Sequence, residues 1–289
     1  MPPDRRATRR ARAVTNKGIE RSTSNKPKPL PLVERTNELS REEFISLYIS
    51  PSDLTFEKQK KKEKREDGSS LTVQFEERNT KTNIQDHVGD LENTPETQET
   101  NSYELSIYTA STIPTPDLAL CFKLIEETSS TAYKNSSMSW SPSEKRKEMK
   151  LPDMKYMVLR RRGASVVSDS DRDHKDHDPD SKPGEFAGFL EFMVTYEDGY
   201  EVLYCYEIHL MPGVQGQGVG EELMGRFEKI GRAIGLEKAM LTVFKSNNRA
   251  ITFYTRVGYT EDESSPQPRK LRNGTVKEAD YLIMSKKLR

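Results

Sequence analysis

A glycine-rich run, VQGQGVG at residues 214–220, lies between a predicted strand and a predicted helix. Closely spaced glycines let successive backbone N–H groups turn to the same side, and the N-terminus of the following helix adds partial positive charge. Such N–H groups and the helix dipole together bind anions such as a pyrophosphate. The run therefore predicts a phosphate-binding loop, although a purely structural glycine turn has the same composition.

Spacing distinguishes the enzyme classes that use such loops. The loop of nucleoside triphosphatases ends in Gly-Lys-Ser/Thr, whereas Gly220 is followed by a glutamate. A dinucleotide-binding loop needs an acidic residue at a strand end about 20 residues further on, whereas the next strand is followed by Lys245. The remaining pattern is Gln/Arg-x-x-Gly-x-Gly/Ala, which Gln215, Gly218 and Gly220 satisfy. This loop resembles that of the GNAT family of N-acetyltransferases.

The segment LTVFKSNNRAITFYTRVGY, residues 241–259, resembles the second half of the GNAT fold. There a strand ends at an Asn-containing turn, and the next helix carries the stretch A-x-x-F-Y. The resemblance implies acetyl-CoA as the cofactor, with its pantetheine arm filling a gap between splayed strands at 204–210 and 239–244. The cofactor-binding residues that it implies are Ile208, Leu210, Gln215, Gly216, Gln217, Gly218, Val219, Gly220, Asn247, Phe253 and Tyr254. Ordinary core packing is the alternative for Phe253.

Three further runs resemble a narrower group, the histone-specific N-alpha-acetyltransferases of the NatD type. They are EDGYEVLYCYEIHL at 197–210, MLTVFKSNNRAITFY at 240–254 and WSPSEKRKEM at 140–149. The resemblance covers roughly residues 103–289. It implies acetyl transfer to the N-terminal amine of Ser-Gly-Arg-Gly tails of histones four and two-A. Histone tail peptides are then the expected partners, and the nucleus and cytoplasm are the expected locations.

The resemblance also implies roles for side chains near the splayed strands. The glutamate of the LYCYE run is the base in that group, which assigns this role to Glu207, and an α-amine with a pKa of about 7.7–8.0 needs only modest base assistance. Tyr254 or a substrate-side tyrosine, Tyr206, is expected to donate a proton or a hydrogen bond to the departing thiolate. The expected substrate-binding residues are Tyr133, Trp140, Tyr206, Glu207, Thr242 and Tyr281. A salt-bridged structural glutamate and core aromatic residues are the alternatives.

Two positions depart from the resembling group. Thr195 stands where the group has an aspartate, and Met138 stands where it has a tryptophan. A carboxylate near the substrate is therefore replaced in this chain, and Glu197 or Asp198 is the expected substitute.

Periodicity and turn residues predict the elements that must position these side chains. Helices are predicted over 38–49, 116–133, 142–150, 221–235 and 248–257. Strands are predicted over 71–75, 103–108, 155–160, 186–196, 202–210, 239–244 and 280–285. Their order predicts an α/β fold of the GNAT type, a mixed and mostly antiparallel twisted sheet with helices on both faces.

Composition limits how much of the chain can form a core. Of the 289 residues, 33% are hydrophobic and 32% are charged, and the 46 acidic residues balance the 46 basic ones. We therefore expect one folded domain with long solvated segments. The predicted organisation is a disordered basic arm over 1–35, an N-terminal extension with a disordered acidic insertion over 36–102, and an acetyltransferase domain over 103–289 with a disordered insertion at 162–184.

Charge, cysteine and histidine content and hydropathy indicate which partners this chain can have. The basic residues of the segment 1–30 predict a weak nucleic-acid or ribosome contact, or merely a solvated tail. Cys121 and Cys205 are too few for a disulfide framework, and the four histidines show no ligand spacing, so no metal is expected. No apolar run reaches the roughly 20 residues of a membrane span. A soluble intracellular monomer is expected.

Two other functions stay open at this stage. One is a GNAT enzyme that acetylates lysine side chains or small amines; it would face an amine pKa of about 10.4 and would need a stronger base. The other is a non-catalytic chromatin adaptor with a GNAT-like fold. The presence of the glycine-rich loop and of Glu207 favours an enzyme over the adaptor.

Overall fold

A computed structural model describes residues 30–59, 100–162 and 184–289. Most of the predicted basic arm, the predicted strand at 71–75, most of the predicted acidic insertion and nearly all of the insertion at 162–184 lie outside the described residues. Within these ranges the α-helices are α1 (Leu32–Asn37), α2 (Arg41–Tyr48), α3 (Thr115–Lys134), α4 (Pro142–Glu148), α5 (Val219–Ile234) and α6 (Asn248–Arg256). The strands are β1 (Thr55–Gln59), β2 (Thr100–Thr109), β3 (Lys155–Arg162), β4 (Glu185–Glu197), β5 (Tyr200–Leu210), β6 (Lys238–Phe244), β7 (Thr260–Glu261), β8 (Arg269–Lys270), β9 (Val276–Lys277) and β10 (Tyr281–Lys287).

Eight of these strands form one sheet in the order β1-β2-β3-β4-β5-β6-β10-β7. The β5–β6 pair is parallel, and the other neighbouring pairs are antiparallel. The α5 helix forms the crossover that a parallel pair requires. Asp198 and Gly199, both at positive φ, form the tight turn between β4 and β5. The predicted mixed, mostly antiparallel sheet is confirmed.

Helices cover both faces of the sheet. On one face α3 and α4 pack over a core that includes Ile125, Tyr156 and Phe189. On the other face α1, α2, α5 and α6 pack over the larger core, in which Phe192 is a central residue. Residues 36–59, which the sequence assigns to an N-terminal extension, supply α2 and the edge strand β1. Helix α1 begins at Leu32, within the segment that was predicted as a disordered arm, so that arm was predicted to end too late. The predicted helix over 38–49 corresponds to α2 and begins later, at Arg41, because Ser40 caps it through a capping box with Glu43.

An irregularity in β5 creates the feature on which the site depends. Glu207 pairs with Glu191 on β4, but the next pair is Cys205 with Phe192, so Tyr206 is an extra residue in a β-bulge. Bulges bend a strand and increase its twist. The parallel pairing of β5 with β6 stops at Cys205, opposite Leu241. Beyond this point the two strands diverge and leave a gap in the sheet.

Candidate active site

The gap between β5 and β6 continues into a cavity of about 200 Å³. Cys205 and Tyr254 line it from the face that carries α5 and α6, whereas Tyr206, Glu207 and His209 line it from the face that carries α3 and α4. The cavity therefore connects the two faces of the sheet. A donor on one face and an acceptor on the other can meet in it.

The bulge decides which β5 side chains face the acceptor side. Without it, alternation along the strand would place Tyr206 and Glu207 on opposite faces. The extra residue puts both on the α3/α4 face, where Glu207 contacts Tyr133 of α3 and Lys145 of α4. A sequence reading that alternates residue by residue cannot produce this arrangement.

Glu207 is buried and fully engaged, with 8% of its surface exposed. Tyr133 donates its hydroxyl hydrogen bond to Oε1 over 2.9 Å, and Lys145 Nζ lies 2.8 Å from the same oxygen. His209 Nε2 lies 2.7 Å from Oε2. Burial would raise the pKa of Glu207, but the Lys145 ammonium and the hydrogen bond from His209 hold that pKa well below its usual range. The side chain is therefore ionised and binds a further proton weakly.

Lys145 is the buried cation of this site and was not foreseen from the sequence, which predicts α4 as a charged helix. Its side chain is 4% exposed and contacts Glu148 as well as Glu207, and its Nζ lies 5.0 Å from the centre of the Tyr133 ring. Burial would lower the pKa of Lys145, but the two carboxylates hold it well above the ordinary value. The signal was the i, i+3, i+4 spacing of Lys145, Glu148 and Met149, which places all three on one helix face.

A second buried carboxylate lies behind this group. Glu191 is fully buried on β4, and the Tyr156 hydroxyl donates to its Oε1 over 3.3 Å. Burial, and then the nearby Glu148, raise the pKa of Glu191 to about 8. Glu191 therefore holds a proton at neutral pH, while Glu207 does not.

The predicted tyrosines at the gap remain protonated. Burial, followed by the proximity of Cys205 and Glu207, raises the pKa of Tyr254 well above its ordinary value. Burial, followed by the proximity of Glu148 on α4 and of Glu197 and Glu191 on β4, likewise raises the pKa of Tyr206. Both side chains can donate hydrogen bonds, and Tyr254 lines the cavity from the face that carries α5 and α6.

The glycine-rich loop has the backbone that a phosphate cradle requires. Gly216 and Gly218 adopt φ values of 76° and 80°, which L side chains disfavour. Gly218 is the N-cap of α5 and supplies no side-chain cap, so the first N–H groups of the helix are available to an anion. The buried Val219 anchors the loop in the core. A bound pyrophosphate fits this backbone.

Other predicted cofactor residues shape the loop and its neighbour. The side-chain amides of Gln215 and Gln217 donate to the carbonyl oxygens of Leu210 and Gly213 over 2.9 and 2.8 Å. A Cβ on Gly220 would come within 3.3 Å of the Phe253 ring, so glycine lets helix α6 approach the loop.

Asn247, Ile208 and Leu210, three further residues that were predicted to bind the cofactor, lie beside the gap. Asn247 lines the cavity and caps α6 by accepting from the Ala250 N–H over 3.1 Å. Ile208 and Leu210 belong to the part of β5 beyond the last β6 pair. Among the described residues this stretch has no strand on its β6 side, and its main chain can bind an extended arm.

A lysine near the loop was missed by sequence reasoning. Lys58 of β1 places its Nζ 3.6 Å from where a Cβ on Gly218 would lie, and it also pairs with Glu222 over 2.7 Å. The sequence shows only a lysine run at this point. The approach of β1 to the loop is a long-range contact that no local pattern indicates.

The predicted substrate residues are only partly brought together. Tyr133, Tyr206, Glu207 and Thr242 line the cavity. Trp140 instead packs on Tyr133 and Phe122, at ring distances of 5.6 and 6.2 Å. Tyr281 begins β10 opposite Phe244 and is not among the lining residues.

The two departures from the resembling group lie in different places. Met138 lines the cavity and lies on a loop that is held by Asp280. The carboxylate of Asp280 accepts a hydrogen bond from the Ser137 hydroxyl over 2.8 Å. Thr195 lies on β4 opposite Val202, away from the cavity.

His209 and Thr128 also line the cavity and were not predicted. The sequence reading considered histidine only as a metal ligand. Within the described ranges, no group of three or more His, Cys, Asp or Glu side chains is arranged to hold a metal ion. No helix in those ranges is long and apolar enough to cross a membrane.

Comparison with known proteins gives a family for the centre of the chain. Residues 136–259 match the model of the acetyltransferase (GNAT) family. The chain is similar to N-alpha-acetyltransferase 40 of Saccharomyces cerevisiae, with 29% identity over 103 residues that cover 29% of this chain and 36% of that protein. The chain thus spans about a third of the length of this relative.

Solved structures of other acetyltransferases are also similar. The spermidine N-acetyltransferase of Vibrio cholerae, in complex with CoA and spermine, is 16% identical over 64% of this chain and 95% of its own, with a TM-score of 0.41. The ribosomal-protein-S18-alanine N-acetyltransferase of Escherichia coli is 17% identical over 64% and 94%, with a TM-score of 0.37. The glycine-rich loop and the gap between β5 and β6 both lie within residues 136–259, the segment that matches the acetyltransferase (GNAT) family model.

Proposed function

We propose that this protein is an N-alpha-acetyltransferase that transfers the acetyl group of acetyl-CoA to the N-terminal amine of a protein, with Ser-Gly-Arg-Gly tails of histones as the substrate. The observation that carries the proposal is the cavity through the gap between β5 and β6, which has an anion cradle on one side and the buried carboxylate of Glu207 on the other. The similarity of the chain to a yeast N-alpha-acetyltransferase supports the same reaction.

The charge state of Glu207 favours an α-amine over a lysine. At pH 7 roughly one α-amine in seven is neutral, since its pKa is about 7.8, whereas roughly one lysine amine in 2,500 is neutral. Glu207 already has an ammonium and two other hydrogen-bonding groups on its oxygens, so it cannot supply the strong base that lysine needs. It can attract and orient an amine that loses its proton readily.

The donor side is held by the chain in three ways. The N–H groups at the start of α5 bind the pyrophosphate, and the free β6 side of β5 around Ile208 and Leu210 pairs with the extended arm. Acetyl-CoA supplies the activated thioester carbonyl. The Tyr254 hydroxyl, which stays protonated, donates a hydrogen bond towards the sulfur side of the gap.

The acceptor side is aromatic and acidic. Tyr133 and Tyr206 pack against a small, flexible N-terminal residue, and Thr242 offers a hydroxyl to a serine side chain. Glu207 accepts a hydrogen bond from an N–H of the amine. This hydrogen bond aligns the lone pair of the amine nitrogen with the thioester carbonyl across the gap.

Mass spectrometry of two matched peptides tests the proposal. One is Ser-Gly-Arg-Gly extended by a lysine-containing segment with a free N-terminus, and the other is the same peptide with a blocked N-terminus. We expect acetyl-CoA turnover with the first peptide, with the product mass on the serine amine, and little turnover with the second. Equal turnover on lysine in both peptides would replace the proposal with a lysine acetyltransferase, and the absence of acetyl-CoA binding would indicate a non-catalytic adaptor.

A further inference from the structure

A hydrogen-bonded chain runs outward from Glu207, and the reaction described so far does not use it. His209 Nε2 lies 2.7 Å from Glu207 Oε2, and His209 Nδ1 lies 2.7 Å from Thr128 Oγ1. All three side chains line the cavity. The order carboxylate, imidazole, hydroxyl is the one in which enzymes orient a histidine as a general base.

The reaction needs a place for one proton. As the new C–N bond forms, the amine nitrogen must lose a proton, and Glu207 is poorly arranged to keep it. Its Oε1 already accepts from Tyr133 and contacts Lys145 Nζ, so a proton there would displace one of these partners. Imidazole is the side chain that exchanges a proton near neutral pH.

We propose that His209 is the proton acceptor of the transfer reaction, with Glu207 as the carboxylate that orients its ring and Thr128 as the hydroxyl that connects the ring to the cavity. This inference rests on the proposed function. The amine N–H bond breaks as the C–N bond forms and the C–S bond breaks. The proton goes to Nδ1 of His209, directly or through the Thr128 hydroxyl, and the sulfur leaves as a thiolate that later takes a proton from solvent.

The single hydroxyl proton of Thr128 accounts for both states of the ring. Thr128 Oγ1 lies 2.7 Å from His209 Nδ1 and 2.6 Å from the Leu124 carbonyl oxygen, and it can donate to only one of them. When Thr128 donates to Nδ1, the ring is neutral and its own proton lies on Nε2, facing Glu207. When Thr128 donates to the carbonyl of Leu124, Nδ1 must itself be a donor, which is the arrangement of the protonated ring.

The surroundings hold the ring in place and balance its charge. The Phe189 ring of β4 stacks on His209 at 5.6 Å between centres. Lys145 of α4 lies against one oxygen of Glu207, and His209 lies against the other. The carboxylate of Glu207 therefore pairs with both side chains. On α3, Thr128 is the group that faces Nδ1. A proton on His209 is therefore paired with an anion that is already ionised.

The activity test compares His209→Gln with the wild-type protein on the free-amine peptide. Glutamine keeps a donor for Glu207 but cannot take a proton, so we expect kcat to fall by about 100-fold or more while acetyl-CoA affinity stays within about twofold. Thr128→Val should lower kcat and Thr128→Ser should restore it. A His209→Gln rate close to that of the wild type, or an equal loss in Thr128→Ser and Thr128→Val, would overturn the proposal.

A second readout needs no substrate. The method is NMR spectroscopy of protein that carries an isotope label at the histidine ring nitrogens. The signal that disappears in His209→Gln is assigned to the ring of His209. At pH 8 we expect its proton on Nε2, with a resonance that Glu207→Gln shifts; a proton on Nδ1 alone would contradict the proposed pairing. Because wild-type turnover on the peptide tests the proposed function separately, a failure of the relay and a failure of the function give different results.

Discussion

The two sides of the gap between β5 and β6 are built in different ways. The cofactor side is made of backbone, since its loop and helix N-terminus offer N–H groups from consecutive residues over 215–220. The acceptor side is made of side chains from three separate elements that meet at Glu207, with Tyr133 from α3, Lys145 from α4 and His209 from β5. The first side depends on local conformation and the second on long-range packing. Variants should therefore separate binding of the donor from handling of the amine.

The largest effect is expected on the acceptor side, from Lys145→Met. The variant leaves Glu207 and Glu148 buried without their shared cation, which should cost about 3–5 kcal/mol of unfolding free energy. Urea unfolding measures it, with Lys147→Met on the same helix as the control. The Lys147 side chain is 73% exposed, and its loss should change stability by less than about 0.5 kcal/mol. Equal effects of the two variants would show that the buried cation is unimportant.

On the cofactor side, Gly218→Val should weaken donor binding without this loss of stability. Gly218 adopts a φ of 80°, which a β-branched residue strongly disfavours, so the loop must move. Keeping the loop in its binding conformation would cost the variant roughly 1–2 kcal/mol or more. We therefore expect the affinity for acetyl-CoA to fall by about 10–100-fold. Calorimetric titration measures it. Gly213→Ala is the control, because a Cβ there meets nothing within 4 Å and should leave the affinity unchanged.

The difference between the two sides also explains what the sequence could predict. The spacing of Gln215, Gly218 and Gly220 is a local pattern, so the loop, its helix and the strand before it were predicted correctly. The bulge at Tyr206 has no local signal, and alternation alone would have placed Glu207 on the wrong face relative to Tyr206. The number of strands in the sheet and the approach of β1 to the loop depend on contacts between distant segments.

Charge patterns were the other source of error. The run SEKRKEM predicts a charged helix but does not tell which lysine is buried. Lys147 is exposed, whereas Lys145 is buried between the carboxylates of Glu148 and Glu207. Trp140 was expected in the peptide cleft because the resembling group carries that motif; it packs on the ring of Tyr133, which lines the cavity. His209 was tested only as a metal ligand, although its importance comes from Glu207 two residues earlier.

Glu191→Gln gives an effect on the acceptor side that depends on pH. The folded protein holds Glu191 protonated up to a pKa of about 8, whereas the unfolded chain releases that proton above about 4.5. The folded state thus binds more protons in this window, so stability falls as pH rises from about 5 to 8 and levels off above it. Glutamine cannot ionise, so the variant should gain about 3–4 kcal/mol of stability relative to the wild type as the pH rises from about 5 to 8. Parallel stability curves for the two proteins would contradict the raised pKa.

The smallest effect is expected from Lys58→Gln, on the cofactor side. Lys58 places its ammonium beside Gly218 while pairing with Glu222, so part of its charge is already neutralised. We expect acetyl-CoA affinity to fall about 3–10-fold at low salt, and the difference to shrink at high ionic strength. Lys229→Gln is the control, because it removes a lysine that pairs with Asp53 instead of with Glu222, the partner of Lys58. An effect of Lys58→Gln that does not depend on salt would exclude a direct charge contribution.

The separation of the two sides is tested most directly by Glu207→Gln, with acetyl-CoA affinity and the rate of acetyl transfer to the free-amine peptide measured on the same preparation. Glu207 lies at the gap but belongs to the acceptor side, where it accepts from Tyr133 and pairs with Lys145. We predict that the transfer rate falls by about 100-fold or more while the Kd of acetyl-CoA stays within about twofold. A Kd that rises in proportion to the lost rate, or a rate that does not change, would contradict this division of the site.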